Sequence, residues 1–187
     1  AYLAMACFGL ASSGHWTDTR ESNPLDGGAP FWRCYETKDG KHISIGAVEE
    51  KFYAILLETL ELDPTDLPGQ LDPEGWPEII ETLDAKFKEK TRDEWCDIME
   101  GTDICFAPVL SFSEAPHHPH NQARGSFVEV DGIVQPGPAP RFSRTPSSVK
   151  GGPPEFGAQT ESALTAWGFS TAEIDALKTE QAIGREQ

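Results

Sequence analysis

The feature that most constrains the fold is an Asp-Gly pair that separates two β-prone runs and is soon followed by helical spacing. Residues Phe31–Thr37 and His42–Val48 flank the sequence Lys38-Asp39-Gly40-Lys41. An Asp-Gly pair favours a tight hairpin turn because both residues tolerate positive φ angles. The sequence therefore predicts an antiparallel hairpin, with alternate apolar side chains such as Ile43 and Ile45 on one face.

Helical spacing follows the hairpin. Apolar residues recur at i, i+3, i+4, i+7 and i+8 over residues 52–60, which predicts an amphipathic helix that begins near Glu49 or Glu50. A second stripe covers residues 76–87, and Thr91-Arg92-Asp93-Glu94 is a capping box that begins a third helix.

The next apolar run, Ile104–Leu110, is expected to be a buried strand. Residues 31–111 are therefore predicted to form one compact α+β unit, in which a small mixed or antiparallel sheet packs with three helices.

The flanking segments differ from this unit. Ala1–Leu10 is apolar on every side, which predicts a helix that is covered by other protein and a chain that starts inside something larger. The polar, turn-rich residues 12–30 are expected to be a linker. The Pro- and Gly-rich residues 113–154 predict an extended connection that includes one Asp-Gly hairpin, and short helices are expected in residues 160–187.

Composition excludes several classes of function. Acidic side chains outnumber basic ones 31 to 15, which gives a formal net charge of −16 and argues against a nucleic-acid partner. No apolar stretch approaches the roughly 20 residues that span a bilayer, so we expect no membrane insertion and a cytoplasmic protein. The four cysteines are scattered and are expected to be reduced and mostly buried.

The residues offer few candidates for chemistry. His117, His118 and His120 are close enough in sequence to bind a metal ion, but without neighbouring carboxylates or thiols they are more typical of a solvated loop, so no metal site is predicted. Glu49 lies where a strand becomes a helix. Its carboxylate either points toward a cleft while it accepts hydrogen bonds from N–H groups at the helix start, or is that of an ordinary helix-start glutamate.

Tryptophan positions give a further expectation. Trp76, Trp95 and Trp167 lie on or beside apolar faces and are expected in the core. Trp32 is the exception, because it stands at the mouth of the first strand, where a flat ring can pack against a ligand.

Several ordered segments carry a resemblance to a known family. They are Asn23–Trp32 (NPLDGGAPFW), Asp39–Lys41 (DGK), Gly46–Tyr53 (GAVEEKFY), Gly101–Leu110 (GTDICFAPVL), Pro138–Ser143 (PAPRFS) and the Gly-x-x-Thr-Glu segment at residues 157–161. Together they resemble the α-methylacyl-CoA racemases of the family III CoA-transferase group. The resemblance implies an isomerase that inverts the α-carbon of 2-methyl-branched acyl-CoA thioesters by 1,1-proton transfer, with acyl-CoA as substrate and no metal or redox cofactor.

The resemblance also implies roles for particular residues. Glu49 matches the family's glutamate that pairs with a catalytic histidine across the dimer, whereas Trp32, Val48 and Glu50 match positions that line the acyl-CoA cleft. The family's catalytic histidine and aspartate belong to a half that precedes this segment, so we expect the chain to be inactive alone.

The family's architecture implies a domain assignment. Residues 1–30 correspond to a helix and linker of the large domain, residues 31–111 to the small domain, and residues 112–187 to a return segment whose helices pack on the large domain. The complete enzyme is expected to be an interlocked homodimer, and eukaryotic relatives are peroxisomal or mitochondrial.

Two alternatives stay open at this point. One is a family III CoA-transferase that moves CoA between carboxylic acids through an acyl-aspartate in the other half. The other is a noncatalytic dimerisation or assembly module that keeps the small-domain fold.

Overall fold

The computed structural model describes residues 2–184 and divides the chain after Ser111 into two units, each of which is described separately. The first unit has the helices α1 Met5–Ser12, α2 Glu50–Thr59, α3 Trp76–Phe87 and α4 Arg92–Met99 and the strands β1 Arg33–Glu36, β2 His42–Ile45 and β3 Phe106–Val109. The second has the helices α5 Pro119–Arg124, α6 Thr160–Ala166 and α7 Thr171–Thr179 and the strands β4 Phe127–Val130 and β5 Ile133–Pro136. The predicted α+β class is confirmed.

The first unit is organised around a three-stranded antiparallel sheet. The strand order is β1-β2-β3, and Ser44 lies opposite Cys34 on one side and Ala107 on the other. The predicted Asp-Gly hairpin joins β1 to β2, with Gly40 at φ 71°. The Thr37 hydroxyl donates to the Asp39 carboxylate at 2.6 Å, which fixes the turn.

One face of this sheet packs on three helices. Tyr35, Ile43 and Ile45 are buried against a core built from alternate turns of α2, α3 and α4. This core also contains the indole rings of Trp76 from α3 and Trp95 from α4, as expected from their apolar spacing. The opposite face of the sheet is left open, and this is the face that concerns function.

Strand β3 differs from its prediction. Expected to be buried over residues 104–110, it covers Phe106–Val109 and alternates between half-buried and exposed residues. The reason is its place at the edge of a sheet with one open face, where every second side chain points away from the core. The prediction of a fully buried strand was wrong.

The segment expected to be a linker is folded onto the core. Residues 13–30 contain neither helix nor strand, yet Ala29 is 0% exposed and Pro30 is fully buried. The Tyr35 hydroxyl donates to the Pro30 carbonyl at 2.6 Å. A buried Asn23 side chain bridges the Thr17 backbone and the Asp26 carboxylate. Hydrogen bonds replace regular structure here and tie the segment to β1.

Helix α1 has no polar side. Tyr2 and Leu3, in the short 3₁₀ turn before it, are 82% and 98% exposed, and Met5 and Phe8 are 55% and 71% exposed. The predicted apolar helix is therefore present. Its burial by other protein stays a prediction.

Two expectations about burial were wrong. The four cysteines are free thiols, but Cys34 and Cys105 are exposed and the other two are only partly covered. Trp167, expected in the core, is 83% exposed because it lies at the end of the short helix α6.

The second unit holds the predicted hairpin and the two helices expected after residue 160, whereas α5 lies in the segment that was expected to be extended. Strands β4 and β5 pair antiparallel about Asp131 and Gly132, both with positive φ, as the turn chemistry requires. Ser170 and Glu173 form a capping box at the start of α7. Within residues 2–184, no helix is long and apolar enough to cross a membrane.

Candidate functional site

The main cavity of the first unit is a groove of about 1080 Å³ on the open side of the sheet. Its walls come from three places that the fold brings together: the loop before β1, the ends of β1 and β2, and the turn before β3. Its lining residues are Glu21, Leu25, Asp26, Gly27, Trp32, Arg33, Cys34, Ser44, Ile45, Gly46, Val48, Glu49 and Cys105.

An indole ring forms one wall of the groove. Trp32 is 42% exposed and lies against Gly46, where a built Cβ atom would come within 3.4 Å of the ring atom Cζ3. The Gly46 N–H donates to the Cys105 carbonyl at 2.9 Å, which continues the sheet pairing beyond β2 and β3. The indole ring therefore packs at van der Waals distance over the Gly46 backbone.

Glu49 stands at the corner between β2 and α2. It is the N-cap residue of α2, with φ −75° and ψ 138°, and its backbone carbonyl accepts hydrogen bonds from the N–H groups of Phe52 and Tyr53. Its side chain makes no capping hydrogen bond and is exposed in the groove. The expectation that the carboxylate also accepts helix N–H groups was wrong, because this carboxylate lines the groove instead.

The structure separates the four sequence-predicted site residues into two groups. Trp32, Val48 and Glu49 line the same groove. Glu50, one residue further on, lines a second cavity of about 710 Å³ between α2 and the loop that follows it, together with Tyr53. Adjacent residues at the start of a helix diverge by about 100° around its axis, which accounts for the separation.

Cys105 is a groove residue that the sequence did not single out. It adopts a left-handed backbone conformation at φ 58°, and the residue as a whole is exposed. Burial raises the pKa of this thiol above its usual value, and the carboxylates of Glu49 and Asp103 raise it further, against a small opposing effect of Lys51. The thiol is therefore protonated at neutral pH and is a poor nucleophile. Only the tertiary pairing with Gly46 marks it as part of the site.

Asp26 shapes the opposite wall. Its carboxylate accepts hydrogen bonds from the Asn23 N–H at 2.9 Å, the Asn23 amide at 2.7 Å and the Gly28 N–H at 3.0 Å. Burial acts to raise the pKa of this carboxyl, but these hydrogen bonds outweigh it and hold the pKa below its ordinary value. Asp26 is an anion that fixes its own loop.

The charge of the groove limits what it can bind. Glu21, Asp26 and Glu49 face it against one guanidinium, that of Arg33. A polyphosphate group requires several cations or backbone N–H groups, which this set does not supply. Among residues 2–184, no cluster of three or more His, Cys, Asp or Glu side chains is arranged to hold a metal ion. The groove suits an uncharged or apolar group.

Comparisons with known proteins agree on one family. The family model described as CoA-transferase family III matches residues 3–160. The chain is 43% identical to α-methylacyl-CoA racemase of Mus musculus, over 98% of this chain and 49% of the mouse protein, and 41% identical to that of Homo sapiens, over 98% and 48%. It thus spans about half the length of these relatives.

A solved structure has the same fold. The crystal structure of Rv3272 from M. tuberculosis, in its orthorhombic form, matches with a TM-score of 0.56 at 15% identity, over 79% of this chain and 40% of that one. At this identity the likeness concerns the fold alone.

Proposed function

Because the chain belongs to CoA-transferase family III, we propose that it supplies one wall of the active site of an α-methylacyl-CoA racemase, with Glu49 as the partner of a catalytic histidine from another segment. The observation that carries the proposal is the Glu49 carboxylate, which is exposed in the groove and takes no part in capping its helix. The 43% identity to a racemase supports the choice of reaction.

The proposed reaction is a 1,1-proton transfer. One group removes the α-proton of the thioester, a second group returns a proton to the opposite face, and the enolate formed between the two steps must be stabilised. A carboxylate that accepts a hydrogen bond from an imidazole N–H fixes the tautomer of that ring and raises its basicity. Glu49 would perform this task, and no metal or redox cofactor is part of the proposal.

The other groove residues fit the acyl end of the substrate. Trp32 and Val48 offer apolar surface, whereas the excess of carboxylates disfavours the phosphates of CoA. We propose that acyl-CoA places its branched chain against Trp32 and that its phosphates are held by the other half of the enzyme. The proposed contact of Glu50 with CoA would take place outside this groove, at the second cavity.

The proposal extends to assembly and location. The complete enzyme would be a homodimer that pairs through this small domain, which would bring Glu49 to the histidine of the partner subunit. It would act in the cytoplasm of a bacterium, or in the peroxisome or mitochondrion of a eukaryote.

The test follows the α-proton of a 2-methylacyl-CoA in D₂O by NMR. The chain is assayed alone and after coexpression with the first half of the mouse racemase. We expect exchange only in the combined sample, and a rate about 10- to 100-fold lower for Glu49→Gln. Glu81→Gln, which makes the same change on an exposed turn of α3, serves as the matched control. Exchange by the chain alone, or an undiminished rate in Glu49→Gln, would contradict the proposal.

CoA transfer between carboxylic acids is a second candidate. The description of the matching family as CoA-transferases favours it. Such an enzyme forms a covalent intermediate on an aspartate, which would have to come from the other half. Incubation of the combined sample with acyl-CoA, followed by mass spectrometry, distinguishes the two: a thioester or acyl group trapped on an aspartate would favour transfer over racemisation.

A noncatalytic assembly module is the third candidate, and the exposed apolar helix α1 favours it. Size-exclusion chromatography with light scattering tests it together with the exchange assay. Association with the first half of a racemase without any α-proton exchange would favour this candidate.

A further inference from the structure

The strand-to-helix corner that carries Glu49 has two backbone carbonyls outside regular pairing. Strand β2 ends at Ile45 and α2 begins at Glu50, so the carbonyls of Ala47 and Val48 belong to neither the sheet ladder nor the helix. Ala47 is 0% exposed. A buried carbonyl without a hydrogen-bond donor costs free energy, so a donor at this corner determines whether the observed backbone is stable.

A single side chain donates to both carbonyls. The Gln70 amide Nε2 lies 2.8 Å from the Val48 oxygen and 3.3 Å from the Ala47 oxygen. Gln70 is 22 residues from Val48 in the sequence and lies in the loop between α2 and α3. The amide has two hydrogens for the two acceptors. Both acceptors are backbone carbonyl oxygens, so neither changes its protonation state with pH.

Gln70 is itself held in place. Its backbone carbonyl accepts a hydrogen bond from the Trp76 indole N–H at 2.9 Å. Trp76 is 5% exposed, and its ring meets Phe31 edge to face with centroids 5.9 Å apart. Because Phe31 directly precedes Trp32, this chain of contacts connects the corner that carries Glu49 with the residue next to the indole wall of the groove.

We infer that Gln70 is a positioning residue that holds the Glu49 carboxylate in the groove by fixing the Ala47–Val48 backbone. Glu49 follows the second of the two bonded carbonyls and has no capping hydrogen bond of its own to hold its side chain. The position of its carboxylate therefore depends on the backbone before it. The expected effect of Gln70 on turnover rests on the proposed function. Its expected effect on the backbone of the strand-to-helix corner does not.

The test uses Gln70→Glu, which keeps the size of the side chain and replaces the donating amide by an acceptor. The first readout needs no substrate: amide hydrogen exchange of residues 46–53 in the 187-residue chain. We expect amide exchange at this corner to become about tenfold faster at pH 8, since the loss of a part-buried hydrogen bond costs free energy of that order. Gln122→Glu, on an exposed position of α5, makes the same charge change and should leave this exchange unaltered.

Lower pH provides a rescue that a mere packing defect would not show. When the introduced carboxyl is protonated it regains one O–H donor, and donation from this neutral form raises the pKa of the carboxyl. Exchange at residues 46–53 in Gln70→Glu should therefore return toward the wild-type value, compared at the same pH, as the pH falls from 8 to 5. Gln70→Met, which has similar length and no donor, should show no recovery.

The second readout is turnover in the sample combined with the first half of the mouse racemase. A displaced Glu49 should lower kcat by about 10- to 100-fold in Gln70→Glu while KM changes by less than about threefold. A rise in KM at constant kcat would overturn the inference, as would unchanged exchange at residues 46–53. If the wild-type sample gives no turnover at all, the proposed function fails, and the exchange data alone decide whether Gln70 holds the corner.

Discussion

Gly28→Ala tests the finding that the turn-rich segment before β1 is folded against the core. Gly28 is buried, and a Cβ atom added to it would lie 2.7 Å from the Glu21 carbonyl carbon, 2.7 Å from the Ser22 nitrogen and 2.8 Å from the Asn23 nitrogen. All three are backbone atoms, so no side-chain rotation relieves the overlap. The chain at residues 21–23 must move away from Gly28.

The expected cost follows from this geometry. Overpacking a well-filled site costs typically about 1–3 kcal/mol, and the backbone contacts place this change at the upper end. Replacing glycine by alanine also restricts the unfolded chain, which returns about 0.4–1 kcal/mol. We expect a net loss of about 2 kcal/mol in the free energy of unfolding, or roughly 4–8 °C in Tm for a chain of this length.

The assay is thermal unfolding followed by near-ultraviolet circular dichroism, which reports on the buried rings of Trp76 and Trp95 in the same unit. Gly69→Ala is the matched control, since its nearest neighbour would be the Asp72 Cβ at 3.9 Å. The control should melt within about 1 °C of wild type, or slightly higher. A Gly28→Ala protein that melts no lower than Gly69→Ala would refute the packing of this segment.

Three further changes test the groove. Alkylation of Cys105 by iodoacetamide, followed by mass spectrometry, should be slow at pH 7 and should become much faster as the pH rises. Glu49→Gln should speed alkylation at a fixed pH, because one carboxylate that raises the pKa of the thiol is removed. Equal rates in both proteins would show that the Glu49 carboxylate does not act on this thiol. The pKa of Asp26 is lowered in the folded protein, so its carboxylate stabilises the fold above the usual aspartate pKa near 4, and this stabilisation is lost as the pH falls through the folded-state pKa. Asp26→Asn should therefore reduce the fall in Tm between pH 5 and pH 3. An unchanged dependence of Tm on pH would contradict this expectation. Trp32→Phe should widen the acyl pocket and raise the ratio of kcat/KM for bulky over short branched acyl-CoA in the combined sample, whereas an unchanged ratio would remove Trp32 from the acyl pocket.

Much of the first unit could be predicted because its signals are local. The Asp39-Gly40 turn, the stripe of residues 76–87 and the Thr91–Glu94 capping box each depend on residues less than about four turns apart. Their structures agree with the sequence patterns. The same patterns could not predict that β3 lies at an edge, because strand order depends on which strands pair.

The candidate site was predictable in part. Resemblance to a family marked Trp32, Val48 and Glu49, and the structure brings these three to one groove. The resemblance grouped Glu50 with these three as well, but the structure places Glu50 at the second cavity, because adjacent residues at the start of a helix face different directions. Whether the four have the proposed roles stays a prediction.

The sequence by itself determined the α+β class, the hairpins and most helix limits, because turn chemistry and apolar spacing act over a few residues. Only the tertiary structure decided which distant groups meet. Gln70 reaches the Val48 carbonyl across 22 residues, and the Cys105 carbonyl accepts the Gly46 N–H. Such contacts are set by how the elements pack as a whole, and no short pattern in the chain encodes them.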